Sequence, residues 1–90
     1  MKTVLPLLGE YLGTFLLVFV ALTTANPLVL GGTLSVILFL VGGFSGGFVN
    51  PAITYASYLN SKLTFQEMSY YVLVQLFAAL TSYSVYSWIA

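Results

Sequence analysis

Few side chains in this sequence can do chemistry, and their types narrow what that chemistry is. The carboxylates are Glu10 and Glu67, the ammonium groups are Lys2 and Lys62, and there is no Cys, His or Arg. Without Cys or His, the usual zinc, haem and thiol sites have no ligands, so no metal and no cofactor is expected. The two carboxylates fall in different segments and no base accompanies any Ser or Thr, so no catalytic residue is expected and the chain does not read as an enzyme. No basic patch exists, which speaks against nucleic acid. What remains is hydrogen bonding, concentrated in Gly42-Gly43-Phe44-Ser45-Gly46-Gly47-Phe48-Val49-Asn50-Pro51-Ala52-Ile53-Thr54. Backbone carbonyls of Phe44 to Val49, if free of helix pairing, offer a file of acceptors, and Asn50 offers an amide donor. A helix starting at Pro51 would aim about half a positive elementary charge at the same spot. Such a set disfavours cations and lets neutral hydrogen-bonding solutes exchange partners along a path.

The elements that must position this set follow from the charge pattern. No charge occurs between Glu10 and Lys62, and none after Glu67. Three apolar spans are expected: Val4 to Ala25, Leu28 to Val41, and Phe65 to Ile89. Asn26-Pro27 should end the first, because Asn-Pro favours a turn. The second is short for a bilayer core of roughly 30 Å unless the glycine-rich stretch completes the crossing. Thr64 and Glu67 have capping-box spacing and should start the third. Between the second and third spans, the glycines make a continuous helix costly, at roughly 1 kcal/mol each relative to Ala. Asn50 is a good N-cap and Pro51 suits the first helical position. A half-helix from Pro51 to about Leu59 should follow, too short to cross a bilayer. The segment is therefore expected to enter the membrane as irregular backbone, turn at Asn50 and leave as a half-helix, which survives only if buried or lining a cavity. A polar surface loop is the alternative, and Phe44, Phe48 and Val49 weigh against it.

Composition sets the solvent. Soluble domains carry roughly 25% charged residues, whereas this chain has 4% charged and 60% hydrophobic residues, so it cannot build a polar shell. It reads as a multi-pass integral membrane protein with the lipid bilayer as partner, and its 90 residues are expected to form a single domain, 1–90. A cleavable leader ending near Thr23-Thr24-Ala25 is the weaker reading. Glu10 would interrupt its apolar region, and removing it would leave an equally hydrophobic remainder. Inside a span, Glu10 is a site hypothesis by default. It is expected to be buried and to accept hydrogen bonds from the irregular loop, the alternative being a glutamate reaching out to headgroups. Gln75 is expected to bond between helices, with Thr54 a further structural polar residue, and Gly9 and Gly13 allow close helix contact.

These residues resemble the aquaporin, or major intrinsic protein, family. The likeness lies in Glu10-Tyr11-Leu12-Gly13-Thr14-Phe15, in Ser45-Gly46-Gly47-Phe48-Val49 followed by Asn50-Pro51-Ala52-Ile53-Thr54, and in Gln75. It implies an all-α membrane fold of three transmembrane helices plus one re-entrant half-helix, similar to one of the family's two inverted repeats. It also implies a pore lined by Asn50, Pro51, Ala52, Gly46, Gly47, Phe48 and Val49. The first-repeat filter position corresponds to Leu30. In an antiparallel pair of copies, the remaining filter positions fall on Leu38, Gly47 and Ile53. Such a filter is apolar and crowded by Phe48, which stands where the family has His, and the family's filter Arg has no counterpart. Family-like topology places Lys2 and Lys62 together on the cytoplasmic side, in agreement with the positive-inside rule.

The resemblance covers one repeat, and half a repeat pair cannot enclose a pore. The expectation is therefore a half-channel that assembles into a passive pore for water or small uncharged solutes such as glycerol or ammonia. Its partner would be a second copy in an antiparallel homo-oligomer or a second-half protein. The alternative is a non-transporting membrane subunit or a truncated remnant of a full-length channel.

Overall fold

A computed structural model describes residues 4–90. Four helices follow in order: α1 Val4–Thr23, α2 Pro27–Ser45, α3 Pro51–Leu59 and α4 Phe65–Ile89. At about 1.5 Å per residue, α1, α2 and α4 each reach roughly 28 Å or more, the thickness of a bilayer core, and α3 reaches about half of that. The three long helices are apolar enough to cross a membrane.

Local chemistry sets most of the boundaries. Asn26 does more than end the first span: its Oδ1 accepts from Leu28 N at 2.8 Å and Val29 N at 3.3 Å, capping α2 with Pro27 in the first turn. Helix α3 closes with Ser61 in the left-handed region at φ 61. There Lys62 N donates to Ser57 O at 2.9 Å and Ser61 N to Tyr58 O at 3.0 Å, a Schellman pair. The capping box of α4 is complete, with Glu67 N on Thr64 Oγ1 at 3.1 Å and Thr64 N on Glu67 Oε1 at 2.8 Å.

One boundary differs from expectation. Helix α2 does not stop at Val41 but runs on through Gly42, Gly43 and Phe44 to Ser45. A glycine costs a helix roughly 1 kcal/mol, whereas backbone groups left unpaired in lipid cost several, so the ladder persists. It ends at Gly46, whose N–H still bonds Gly42 O at 3.1 Å and whose φ of 89 turns the chain away.

Helix α1 lies between α2 and α4, and α3 lies on α4. Helices α1 and α4 run parallel, since Glu10 bonds Gln75, Ser82 bonds Phe15, and the Phe19 and Tyr86 rings meet at 6.2 Å. The start of α1 and the turn at 60–64 therefore share one end of the bundle; Lys2 lies outside the described residues. Helix α2 runs back along α1. A Cβ on Gly9 would stand 2.6 Å from the Phe44 ring, and one on Gly13 would stand 2.9 Å from Ile37 and 2.8 Å from Val49. The two glycines thus admit α2 and the segment after it to near backbone contact.

The interior is inverted relative to a soluble domain. Ile37, Val41 and Val49 form a small apolar core, with Leu17 and Leu34 packed on it. Buried beside it are Glu10, Thr14, Ser45, Thr54, Gln75 and Ser82. Large apolar side chains face outward, Phe39 at 90% and Trp88 at 86% exposure among them. Lipid makes that arrangement stable: polar groups bond one another inside and apolar ones meet acyl chains.

Candidate functional site

The irregular backbone is four residues long, Gly46 to Val49, and every N–H in it after Gly46 is bonded inward. Gly47 N donates to Ser45 Oγ at 3.1 Å. Phe48 N donates to Glu10 Oε2 at 3.1 Å and Val49 N to Glu10 Oε1 at 2.7 Å. Glu10 Oε1 also accepts from Gln75 Nε2 at 2.9 Å. A carboxyl group suits this place because its two oxygens accept from the three N–H groups around it. Gln75 Nε2 donates as well to Thr54 Oγ1 at 2.7 Å, and Thr54 Oγ1 donates to Asn50 O at 2.8 Å. Glu10, Gln75 and Thr54 are each 0% exposed, so one buried network ties α1, α3 and α4 to the segment.

Turning the donors inward leaves the carbonyls of Gly46, Gly47, Phe48 and Val49 with no hydrogen-bond partner among the described residues. The geometry costs strain. Val49, β-branched, sits at φ 44, a region such residues rarely adopt. Its short bond to Glu10 and its side chain's place beside Ile37 and Val41 hold it there. Gly13, against which Val49 rests, is the tenth of the twenty residues of α1, so the segment reaches mid-depth in the bundle. There Asn50 caps α3, its Oδ1 accepting from Ala52 N at 2.8 Å. Its Nδ2 amide has no acceptor among the described residues, and the side chain is exposed.

The residues expected to line a path divide on inspection. Asn50, Ala52, Ile53, Gly46 and Leu38 are exposed, and Phe48, Pro51 and Leu30 are half-buried. Val49 and Gly47 are buried. The Val49 side chain belongs to the core and so can offer a path only its carbonyl. Gly47 lies under Leu38, whose Cδ2 would stand 2.5 Å from a Cβ there. Leu30 is not brought to this cluster; it lies sixteen residues before Gly46 on α2, about 24 Å along the helix. Ser45 drops out of the acceptor file, because its carbonyl accepts from the Tyr71 hydroxyl at 3.0 Å. Tyr71 escaped the reading of the sequence. It stands four residues before Gln75, on the same face of α4, and that spacing was the available signal.

Three lipid-facing helices, a half-helix that turns at mid-depth and an inward-bonded segment define a multi-pass membrane protein. The family model for the major intrinsic protein family matches residues 1–89, and the chain belongs to that family. It is similar to glycerol uptake facilitator protein-like 6 of Lactiplantibacillus plantarum, with 33% identity over 84 residues, covering 83% of this chain and 39% of that protein. It is also similar to aquaporin PIP1-1 of Arabidopsis thaliana and aquaporin PIP1.1 of Vicia faba. Each is 24% identical over 90 residues, covering 81% of this chain and 32% of the relative. The chain thus spans between about a third and two-fifths of the length of these curated relatives. No solved structure gives a significant match.

Proposed function

We propose that this module is half of a passive transmembrane pore for water and small uncharged solutes such as glycerol. The observation that carries the reading is the polarity of the segment Gly46 to Asn50. Its donors are held inside by Glu10 and Ser45, while its carbonyls and the Asn50 amide are left for a solute. A water or polyol passing the carbonyls can donate to each in turn and accept from Asn50 at mid-depth. The N-terminus of α3 adds positive potential there, which opposes cations. Leu30, Leu38, Gly47 and Ile53, taken as filter positions, supply no charge, so selection would rest on size and on hydrogen-bond count. The names of the relatives, a glycerol uptake facilitator and aquaporins, fit that solute class.

One such module cannot encircle a path, because α1 is flanked by α2 and α4 in an open layer with α3 on one side. The reading therefore includes a second module across the exposed Asn50 face, supplied by an inverted copy of this chain or by a second-half protein. The test is flux in vesicles reconstituted with the chain, with mass measured in mild detergent on the same samples. Asn50→Asp keeps the cap but puts negative charge at mid-depth and should raise cation leak or stop neutral flux. Asn50→Ala should lose flux and also stability, roughly 1 kcal/mol for the cap. Equal flux in all three refutes the reading, as does a transporting monomer. An assembled complex with no flux in any variant favours a non-transporting subunit.

A further inference from the structure

We propose that the aromatic pair Phe48–Tyr71 sets the size and polarity limit of the solute path on the side of the bundle that carries the 60–64 turn. The inference rests on the pore reading above. Within the acceptor segment Gly46 to Val49, Gly46 and Gly47 have no side chain and that of Val49 is in the core, so among the segment's own residues Phe48 is the one whose side chain brings bulk to it. Its ring lies against Gly46, with Cε2 2.6 Å from where a Cβ would stand. Behind the ring stands Tyr71, with centroids 5.7 Å apart and planes at 56°. Tyr71 is itself fixed, its hydroxyl donating to Ser45 O at 3.0 Å and so bridging α4 to the end of α2. Phe48 can neither retreat towards α4 nor settle closer to Gly46. Tyr71 also lies one turn before Gln75 on α4, nearer the 60–64 end than the Asn50 level.

The chemistry follows from that placement. A solute at the Gly46 level meets carbonyls on one side and a ring that neither donates nor accepts on the other. Water gives up little there, whereas a polyol with hydroxyls on several sides leaves some of them unpaired and must also clear the ring. Phe48 is therefore a specificity-determining residue and Tyr71 a positioning residue acting through it.

The experiment measures water and glycerol permeability of vesicles reconstituted with the full chain. Phe48→Ala is expected to raise the glycerol-to-water ratio. Tyr71→Leu, which removes the backing ring, should move the ratio the same way. Tyr71→Phe, which keeps the ring but frees it from Ser45, should move the ratio less than Tyr71→Leu while lowering thermal stability. The double variant Phe48→Ala, Tyr71→Leu should go no further than Phe48→Ala, because Tyr71 acts only through the ring. An unchanged ratio in Phe48→Ala with flux retained overturns the role of Phe48, and additive shifts overturn that of Tyr71. The chain has no cysteine, so a Phe48→Cys variant gives an independent readout. Reaction with a membrane-impermeant thiol reagent from the side of residues 60–64 is expected, and no reaction overturns the placement of Phe48 on an aqueous path. Zero flux in every variant overturns the pore reading instead.

Discussion

Replacing Glu10 by alanine should disable the re-entrant segment before it disables the helices. The carboxylate takes three donors, Phe48 N at 3.1 Å, Val49 N at 2.7 Å and Gln75 Nε2 at 2.9 Å. Each buried donor left without an acceptor costs about 1–3 kcal/mol. The Val49 amide bears the full penalty. Gln75 keeps its bond to Thr54, and Phe48 is half-buried, so these two bear less. The sum is about 3–6 kcal/mol, against a total stability of about 5–15 kcal/mol for a typical domain. Val49 adds to the effect, since its positive φ loses the bond that holds it. Glu10→Gln keeps the shape but exchanges one acceptor for a donor facing an N–H, so it should fall between, at about 1–3 kcal/mol. The assay is thermal unfolding in mild detergent together with amide hydrogen exchange at Phe48 and Val49. For Glu10→Ala a melting point lower by roughly 10 °C or more is expected, with exchange at the two amides faster by about 100-fold. A Glu10→Ala protein that melts with the wild type and protects both amides equally well would refute the claim that this carboxylate holds the segment.

Three other outcomes are expected. Gly13→Ala should lose about 1–3 kcal/mol in the same melting assay, because its Cβ would stand 2.8 Å from Val49 and 2.9 Å from Ile37; wild-type stability would show that the segment can move aside. Thr64→Ala removes the hydroxyl of the α4 capping box and should cost about 1 kcal/mol, read as a lower melting point, with no change to solute selectivity. Single-cysteine variants Ala25→Cys and Ser61→Cys should label from opposite sides of the membrane within one molecule, since α1 and α4 run parallel and the 60–64 turn lies at the α1 start; labelling from one side would remove the re-entrant topology.

What the sequence showed and what it hid divide along a physical line. Features set by neighbours in the chain were legible: Asn50-Pro51 starting a half-helix, Thr64 with Glu67 starting α4, and the three apolar spans. The end of α2 was not, because glycine propensity is local while the need to pair backbone groups in lipid is imposed by the surroundings. It carries the helix through Gly42 and Gly43. Glu10 was legible as a residue in need of partners, since a carboxylate within an apolar span is too costly to leave unpaired. Which amides it takes depends on how α1 meets the segment, and only the close approach at Gly9 and Gly13 fixes that. Val49 shows the opposite limit: its position in the motif placed it on the path, and its backbone at φ 44 places its side chain in the core. Tyr71 was hidden because a tyrosine in an apolar helix stands out only once the carbonyl of Ser45 is seen opposite it.

Passage of neutral solutes along the inward-bonded segment, with exclusion of ions, can be read in one paired assay. Vesicles carrying the wild-type chain are shrunk in hyperosmotic glycerol while a potential-sensitive dye reports potassium movement in the same preparation. Re-swelling faster than that of protein-free vesicles, with no potassium current, is the result expected. Potassium current with or without re-swelling, or re-swelling no faster than bare lipid, would contradict it.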